Sequence, residues 1–195
     1  MEPTPREAPK RARAGPCDGL RPLQPSRHAS GGRGPDHRRV RRGEDDALSQ
    51  LRFKDELILA FLERREELWT RGWLQAAVEQ RAQTPGGRLL AIFDTFGEWF
   101  AVDGFEGCSF INVMLELPEP GHPVRDACVQ HLEAIRGFLT GLAEAAGVED
   151  PDAFARQWHI LMKGSIVAAT EGDMEAAARA RELGALLLER DGVAT

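Results

Sequence analysis

Cys108 and His131 are the two side chains of this 195-residue sequence that could pair as nucleophile and general base. His122, His131 and His159 are its candidate metal ligands. A working nucleophile needs a base within hydrogen-bond reach and a third group that orients the base. No carboxylate is singled out for that task by its spacing, and Cys108 stands in a glycine-flanked motif that reads as loop packing. The histidines fall on separate predicted helices, without the short spacings that gather imidazoles around one metal. Glycine-rich phosphate cradles and paired catalytic carboxylates are absent as well. The expectation is a protein that is not an enzyme and has no metal or cofactor. Cys17, Cys108 and Cys128 are odd in number and contain no CxxC pair, so neither a disulfide framework nor a zinc site is indicated. No run of apolar residues is long enough to span a bilayer, and the N-terminus lacks a secretory apolar segment. A reducing cytoplasm is the expected location.

Aromatic side chains are plentiful, and they divide the chain. All nine Phe and all four Trp lie at Phe53 or later. Residues 1–50 hold eleven Lys/Arg against seven Asp/Glu, whereas the remainder holds fourteen against twenty-four. Seven of the twelve prolines also fall in the first segment, which shows no helical or strand-like apolar rhythm. Ordering a residue costs roughly 1–2 kcal/mol of backbone entropy. With few large apolar side chains to bury against that cost, residues 1–51 are expected to be disordered. Their basic run Arg38-Arg39-Val40-Arg41-Arg42 is a candidate phosphate-binding arm, opposed by the acidic Glu44-Asp45-Asp46 that follows.

Residues 52–195 carry dense helical signals. Acid at Lys54-Asp55-Glu56 suits a first turn, and Ile58, Leu62, Trp69, Trp73 and Ala77 recur at helical spacing as far as about Arg81. Thr84-Pro85-Gly86-Gly87 is read as the terminator. A buried helix follows from about Arg88 to Ala101, with Leu89, Ile92, Phe93, Phe96, Trp99 and Phe100. A glycine-punctuated loop then leads to a short helix from about Phe110 to Glu116. His122-Pro123 opens a longer helix that Gly147 closes, and Asp150-Pro151 caps the next. The last helix bears Met174, Ala177, Ala178, Arg181, Gly184, Leu187 and Leu188. The spacing predicts a dimer surface on these two final helices, formed by Phe154, Leu161, Ser165, Ile166, Ala169, Ala177, Arg181, Gly184, Leu187 and Leu188. Paired with a symmetry mate, they would make a four-helix bundle.

Two stretches within this order resemble the tetracycline-repressor (TetR) family of transcription regulators, over about Arg52 to Arg190. Lys54-Asp55-Glu56-Leu57-Ile58-Leu59-Ala60 is similar to the start of the family's connecting helix. Gly104-Phe105-Glu106-Gly107-Cys108-Ser109-Phe110-Ile111-Asn112, followed by Glu116 and His122-Pro123-Val124-Arg125, looks like the Gly-Cys-x-Phe-x-Asn signature of one subgroup. The resemblance implies an all-α fold, a homodimer, operator DNA as partner, and a ligand-responsive transcriptional regulator of repressor type. It also implies a cavity for a small apolar or aromatic effector. The residues expected to line it are Trp69, Trp73, Phe93, Phe96, Trp99, Phe100, Phe110, Met114, Cys128, His131, Trp158 and Met162, with Asn112, His131 and Gln157 as polar contacts. The alternative is a helical small-molecule carrier or enzyme unrelated to transcription.

The N-terminal segment departs from that family. Members precede the connecting helix with a helix-turn-helix domain ending in a stretch like Ala-Gly-Val-x-x-x-Thr-Leu-Tyr-x-x-Phe, and residues 1–51 hold nothing similar. Codons for residues 41–51 read one nucleotide later, with third positions free, allow Ala-Gly-Val-Arg-Met-Thr-Leu-Tyr-His-Asn-Phe directly before Arg52. The segment is therefore read as a helix-turn-helix that is missing or out of frame, which puts operator binding by this chain in doubt.

Overall fold

The computed structural model describes residues 37–117 and 119–195. Among them every regular element is a helix. The described residues begin with one continuous rod made of α1 (His37–Arg65), a π-helical segment (Glu66–Gln75) and α2 (Ala76–Arg81). The rod ends where the sequence predicts, but it starts well before Lys54. Residues 37–51, expected to lack structure, are helical, while the rest of that expectation, residues 1–36, lies outside the described residues. The balance of burial against entropy undervalues this stretch. After Pro35 it has no proline, nine of residues 37–51 are Arg, Glu, Ala, Leu or Gln, and extending an existing helix avoids the cost of nucleation. The π-helical winding was also not legible in the sequence.

After the rod come α3 (Pro85–Phe100), α4 (Ser109–Glu116), α5 (Pro123–Ala145), α6 (Pro151–Thr170) and α7 (Ala176–Arg190). Thr84-Pro85-Gly86-Gly87 opens α3 instead of ending the previous helix. Thr84 Oγ1 accepts from the Gly87 N–H at 3.1 Å, and Pro85 occupies the first turn, where its missing donor costs nothing. Gly86 is needed there because a Cβ would stand 2.3 Å from the Ala194 carbonyl oxygen. Asp150 Oδ1 accepts from the Ala153 N–H at 3.0 Å and caps α6. At the end of α5, Gly147 takes φ +80°, and Val148 N–H reaches back to the Ala143 carbonyl, as in a Schellman motif.

α3 is the central helix, packed on α2, α5, α6 and α7, and α5 packs on α6 and α4. Phe93, Phe96, Phe154, Trp158, Leu89, Ile92 and Leu188 are all fully buried at this centre. Gly184 lets α7 lie against the aromatic core, since a Cβ there would meet the Trp158 ring at 2.7 Å and Phe93 at 3.1 Å.

That packing places most of the predicted dimer face inside the protomer. Phe154, Ser165, Ile166, Ala177, Gly184 and Leu188 are buried within the protomer. Leu161, Ala169 and Leu187 are half-buried, and exposed Arg181 pairs with Asp94 of α3 at 2.9 Å. The apolar side chains left outside are Ile160 and Val167 on α6 and Leu183 and Leu186 on α7. Each of these helices has two apolar stripes, and periodicity alone does not say which one turns inward. The stripe holding Phe154, Trp158 and the accommodating Gly184 buries more area, so it faces the core.

Candidate ligand site

The π-helical segment and α3 bring most of the tryptophans together. Trp69 and Trp73 meet with ring centroids 5.5 Å apart, Trp69 lies 5.0 Å from Trp99, and Phe105 completes the cluster at 4.9 Å from Trp99. Outside the cluster is an open cleft of about 360 Å³ lined by Arg65, Trp69, Trp73, Glu98, Trp99 and Val102. Inside it is a void of about 10 Å³ between α3, α4, α5 and α6, lined by Trp69, Phe96, Cys108, Ile111, Leu132, Ile135, His159, Met162, Lys163 and Ile166. A second gap of about 10 Å³ touches Arg65, Trp69, Trp99, Gly107, Cys108, Ser109 and Phe110. Each small gap has about the room of one water. Trp69 borders all three spaces, and its buried Nε1–H has no hydrogen-bond partner.

Of the predicted pocket residues, Trp69, Trp73, Phe96, Trp99, Phe110 and Met162 border these spaces. The others do not. Phe93 and Trp158 meet with centroids 5.3 Å apart and planes tilted by 36°, in the core under α7. Phe100 is packed between Phe96 and Phe105, Cys128 is fully buried, and Met114 is half-buried on α4. The three predicted polar contacts border none of these spaces. Asn112 is exposed and donates from Nδ2 to the Glu106 carbonyl at 3.0 Å, clamping the loop before α4. Gln157 sits in a separate surface groove, where its Oε1 accepts from Arg190 at 3.0 Å. His131 packs on Phe110 and faces Glu66. Asparagine and glutamine were chosen for chemical type, but both are occupied locally.

The polar residues bordering the inner void are His159 and Lys163, neighbours one turn apart on α6, although the surface that faces the void is almost wholly apolar. A sequence signal for them existed, since both interrupt the apolar stripe that carries Met162 and Ile166. Burial, then the positive charges of Lys163 and Arg136, push the His159 imidazole down to about 3, so it is neutral near pH 7. Burial and Arg136 also lower the Lys163 ammonium from its ordinary value. Burial raises the Cys108 thiol, which keeps it protonated and a poor nucleophile.

Two acid–histidine contacts tie the rod to α5. Glu66, buried in the π-helical segment, has Oε2 3.1 Å from His131 Nδ1, while its Oε1 accepts from Arg71 Nε at 3.1 Å. Nearer the rod's start, Asp55 Oδ2 lies 3.7 Å from His122 Nε2. The second contact is partly exposed and longer, so it is the weaker of the two.

The described residues thus form a helical bundle carried on a long rod, with an aromatic cleft where the two join. The fold matches a TetR-family transcriptional regulator from Streptomyces coelicolor, with TM-score 0.62 and 27% identity over 71% of this chain and 72% of that one. A TetR-type regulator from Streptomyces avermitilis MA-4680 matches with TM-score 0.64 and 25% identity, over 76% of this chain and 81% of that one. Residues 85–183 match the family described as tetracyclin repressor-like, C-terminal domain, and the chain belongs to that family. The HTH-type transcriptional regulator YjdC of Escherichia coli strain K12 is 27% identical over 128 residues, 64% of this chain and 65% of YjdC. YjdC of Shigella flexneri matches to the same extent. The match thus spans a little under two thirds of these curated relatives. Among the described residues, no helix is long and apolar enough to cross a membrane.

Proposed function

We propose that the chain is the sensing and dimerising part of a cytoplasmic, ligand-responsive transcriptional regulator of repressor type, and not an enzyme. The observation that carries this reading is the aromatic cleft at the π-helical segment, where Trp69 lines both an open groove and a small inner gap. A small aromatic effector bound there touches both the bundle and the rod, so it can favour one rod position over another. A ligand shifts such an equilibrium only by its difference in affinity for the two states, typically 1–3 kcal/mol of coupling. The homodimer forms through the exposed stripe of Ile160, Val167, Leu183 and Leu186.

Operator binding is the part of the family's activity that this chain lacks on our reading. Nothing before Arg52 resembles the family's turn and recognition helix, and α1 leaves Phe53, Leu57 and Phe61 exposed along one side, a stripe suited to a packed neighbouring domain. Selection of the full chain against random duplex DNA, followed by mobility shift, is expected to yield no sequence-specific complex. A tight, specific complex would refute this part of the reading. A second reading has one observation in its favour: the run Arg38–Arg42 lies on the helical backbone of α1, and a basic helix can enter a major groove. Salt-sensitive binding lost on replacing those arginines would support it. The coding DNA tests the frame: codons for residues 41–51 that cannot yield Thr-Leu-Tyr one nucleotide later exclude a shifted reading.

A further inference from the structure

We infer that the π-helical segment Glu66–Gln75 is a switch with two windings, held in its present form by the Glu66–Arg71 pair and able to pass to ordinary α-helix, moving Trp69 and Trp73 as it does. The inference goes beyond the effector reading and does not need it, because both windings belong to the free chain. No proline stands between Glu66 and Gln75, so no missing backbone donor imposes the wider winding. A π-helix rarely exceeds a single turn, yet this one covers ten residues. Side-chain contacts are what hold it. Arg71 Nε donates to Glu66 Oε1 at 3.1 Å across five residues, the interval at which a π winding stacks one turn on the next. In an α winding those two positions lie about 140° apart round the axis, and the pairing is lost.

Two observations favour the other winding. Thr95 and Thr140, inside α3 and α5, donate from Oγ1 to the carbonyl four residues back, that of Ala91 at 2.8 Å and that of Arg136 at 3.0 Å. Thr70 is only 2% exposed, yet its buried Oγ1 has no partner. The wider turn carries the Glu66 carbonyl away from the place where an α-helix would offer it, and a return to α-helix restores that bond. Gly72 is the second sign. A Cβ there would stand 3.0 Å from the Glu67 carbonyl oxygen, five residues back, so the π winding wants glycine at an exposed position where an α-helix would prefer alanine. Burial does not decide between the two forms. Glu66, Thr70 and Leu74 are the buried side of the segment, and in α-helix they stay within about 80° of arc. The Glu66–Arg71 pair thus stands against the Thr70 bond and the crowding at Gly72, which leaves the two windings close in free energy.

The test is fluorine NMR of the full chain labelled with 5-fluorotryptophan, without any ligand. Trp69 and Trp73 ride on the segment, and Trp158, in the core against Phe93, serves as the internal reference for an intact fold. Gly72→Ala and Arg71→Ala, both at exposed positions, should raise the α-wound share by about threefold or more, read as a growing second signal or a displaced one for Trp69 and Trp73 while Trp158 stays in place. Thr70→Val keeps the branched shape but removes the hydroxyl, so it should lower that share by about the same factor. Thr70→Ser, which retains the hydroxyl, should match the parent chain. Trp69 and Trp73 signals that keep their parent positions and intensities in both Gly72→Ala and Arg71→Ala would overturn the inference. A Thr70→Val shift of the same sign as theirs would overturn it too.

Discussion

His131 Nδ1 on α5 stands 3.1 Å from Oε2 of Glu66, and both side chains are largely shielded from solvent, at 15% and 11% exposure. The same carboxylate holds Arg71, five residues further along the rod, a separation that the wider π winding brings onto one side. Removing one member of a shielded polar contact leaves the other without a partner. Glu66→Leu is therefore expected to destabilise the fold by about 1–3 kcal/mol in urea unfolding. A double-mutant cycle with His131→Leu should show coupling above about 0.5 kcal/mol, and strict additivity would mean that the contact is idle.

Buried His159 sets the acid limb of stability. Its folded value of about 3 lies below the ordinary 6.5, because burial and nearby cations disfavour the imidazolium. Above 6.5 both folded and unfolded chains hold it neutral, and it contributes no pH dependence. As pH falls from 6.5 toward 3, the unfolded chain takes up a proton that the folded chain refuses, so stability drops with a slope approaching about 1.4 kcal/mol per unit. His159→Gln should flatten that limb in denaturation curves recorded between those limits. An identical slope in the variant would show that other groups set it.

Two glycines should answer alanine in opposite ways. At Gly184 a methyl group would press on Trp158 at 2.7 Å, so Gly184→Ala should destabilise by about 1–3 kcal/mol despite better helix propensity. At Gly137 of α5 nothing lies within 4 Å, and alanine should stabilise by roughly 0.5–1 kcal/mol. Thermal midpoints that move in the same direction would contradict the packing described for α7.

For the proposed dimer, charge belongs on the outer stripe. Ile160→Asp combined with Leu183→Asp should yield a monomer in sedimentation velocity with its helical circular dichroism intact. Both side chains are more than half exposed in the protomer, so the fold should tolerate the change. A dimer that survives both substitutions forms elsewhere. Gly184→Arg would instead strike the core and confuse dissociation with unfolding.

Helix order was legible from the sequence because caps and breakers are local. Asp150-Pro151, His122-Pro123 and Gly147 act through neighbouring backbone groups, and the structure uses each where expected. Thr84-Pro85-Gly86-Gly87 shows the limit of such reading, since a proline can open a helix as readily as it closes one. The site was less legible. Trp69, Trp73, Phe96 and Trp99 announce themselves by size, but whether Phe93 faces a cavity or the core depends on the rotation of α3 against α7. His159 and Lys163 were overlooked because their burial depends on surroundings supplied by the π-helical segment, α3, α4 and α5.

Ten residues of π-helix in an otherwise α-helical rod have a mechanical corollary. Pitch and residues per turn differ between the two windings, so converting even one turn to α-helix would twist and lengthen the shaft. Since the rod is unbroken from His37 to Arg81, such a torsion cannot be absorbed at a joint. It would be delivered whole to whatever the leading end holds, with the indoles of Trp69 and Trp73 riding on the very turns that rewind.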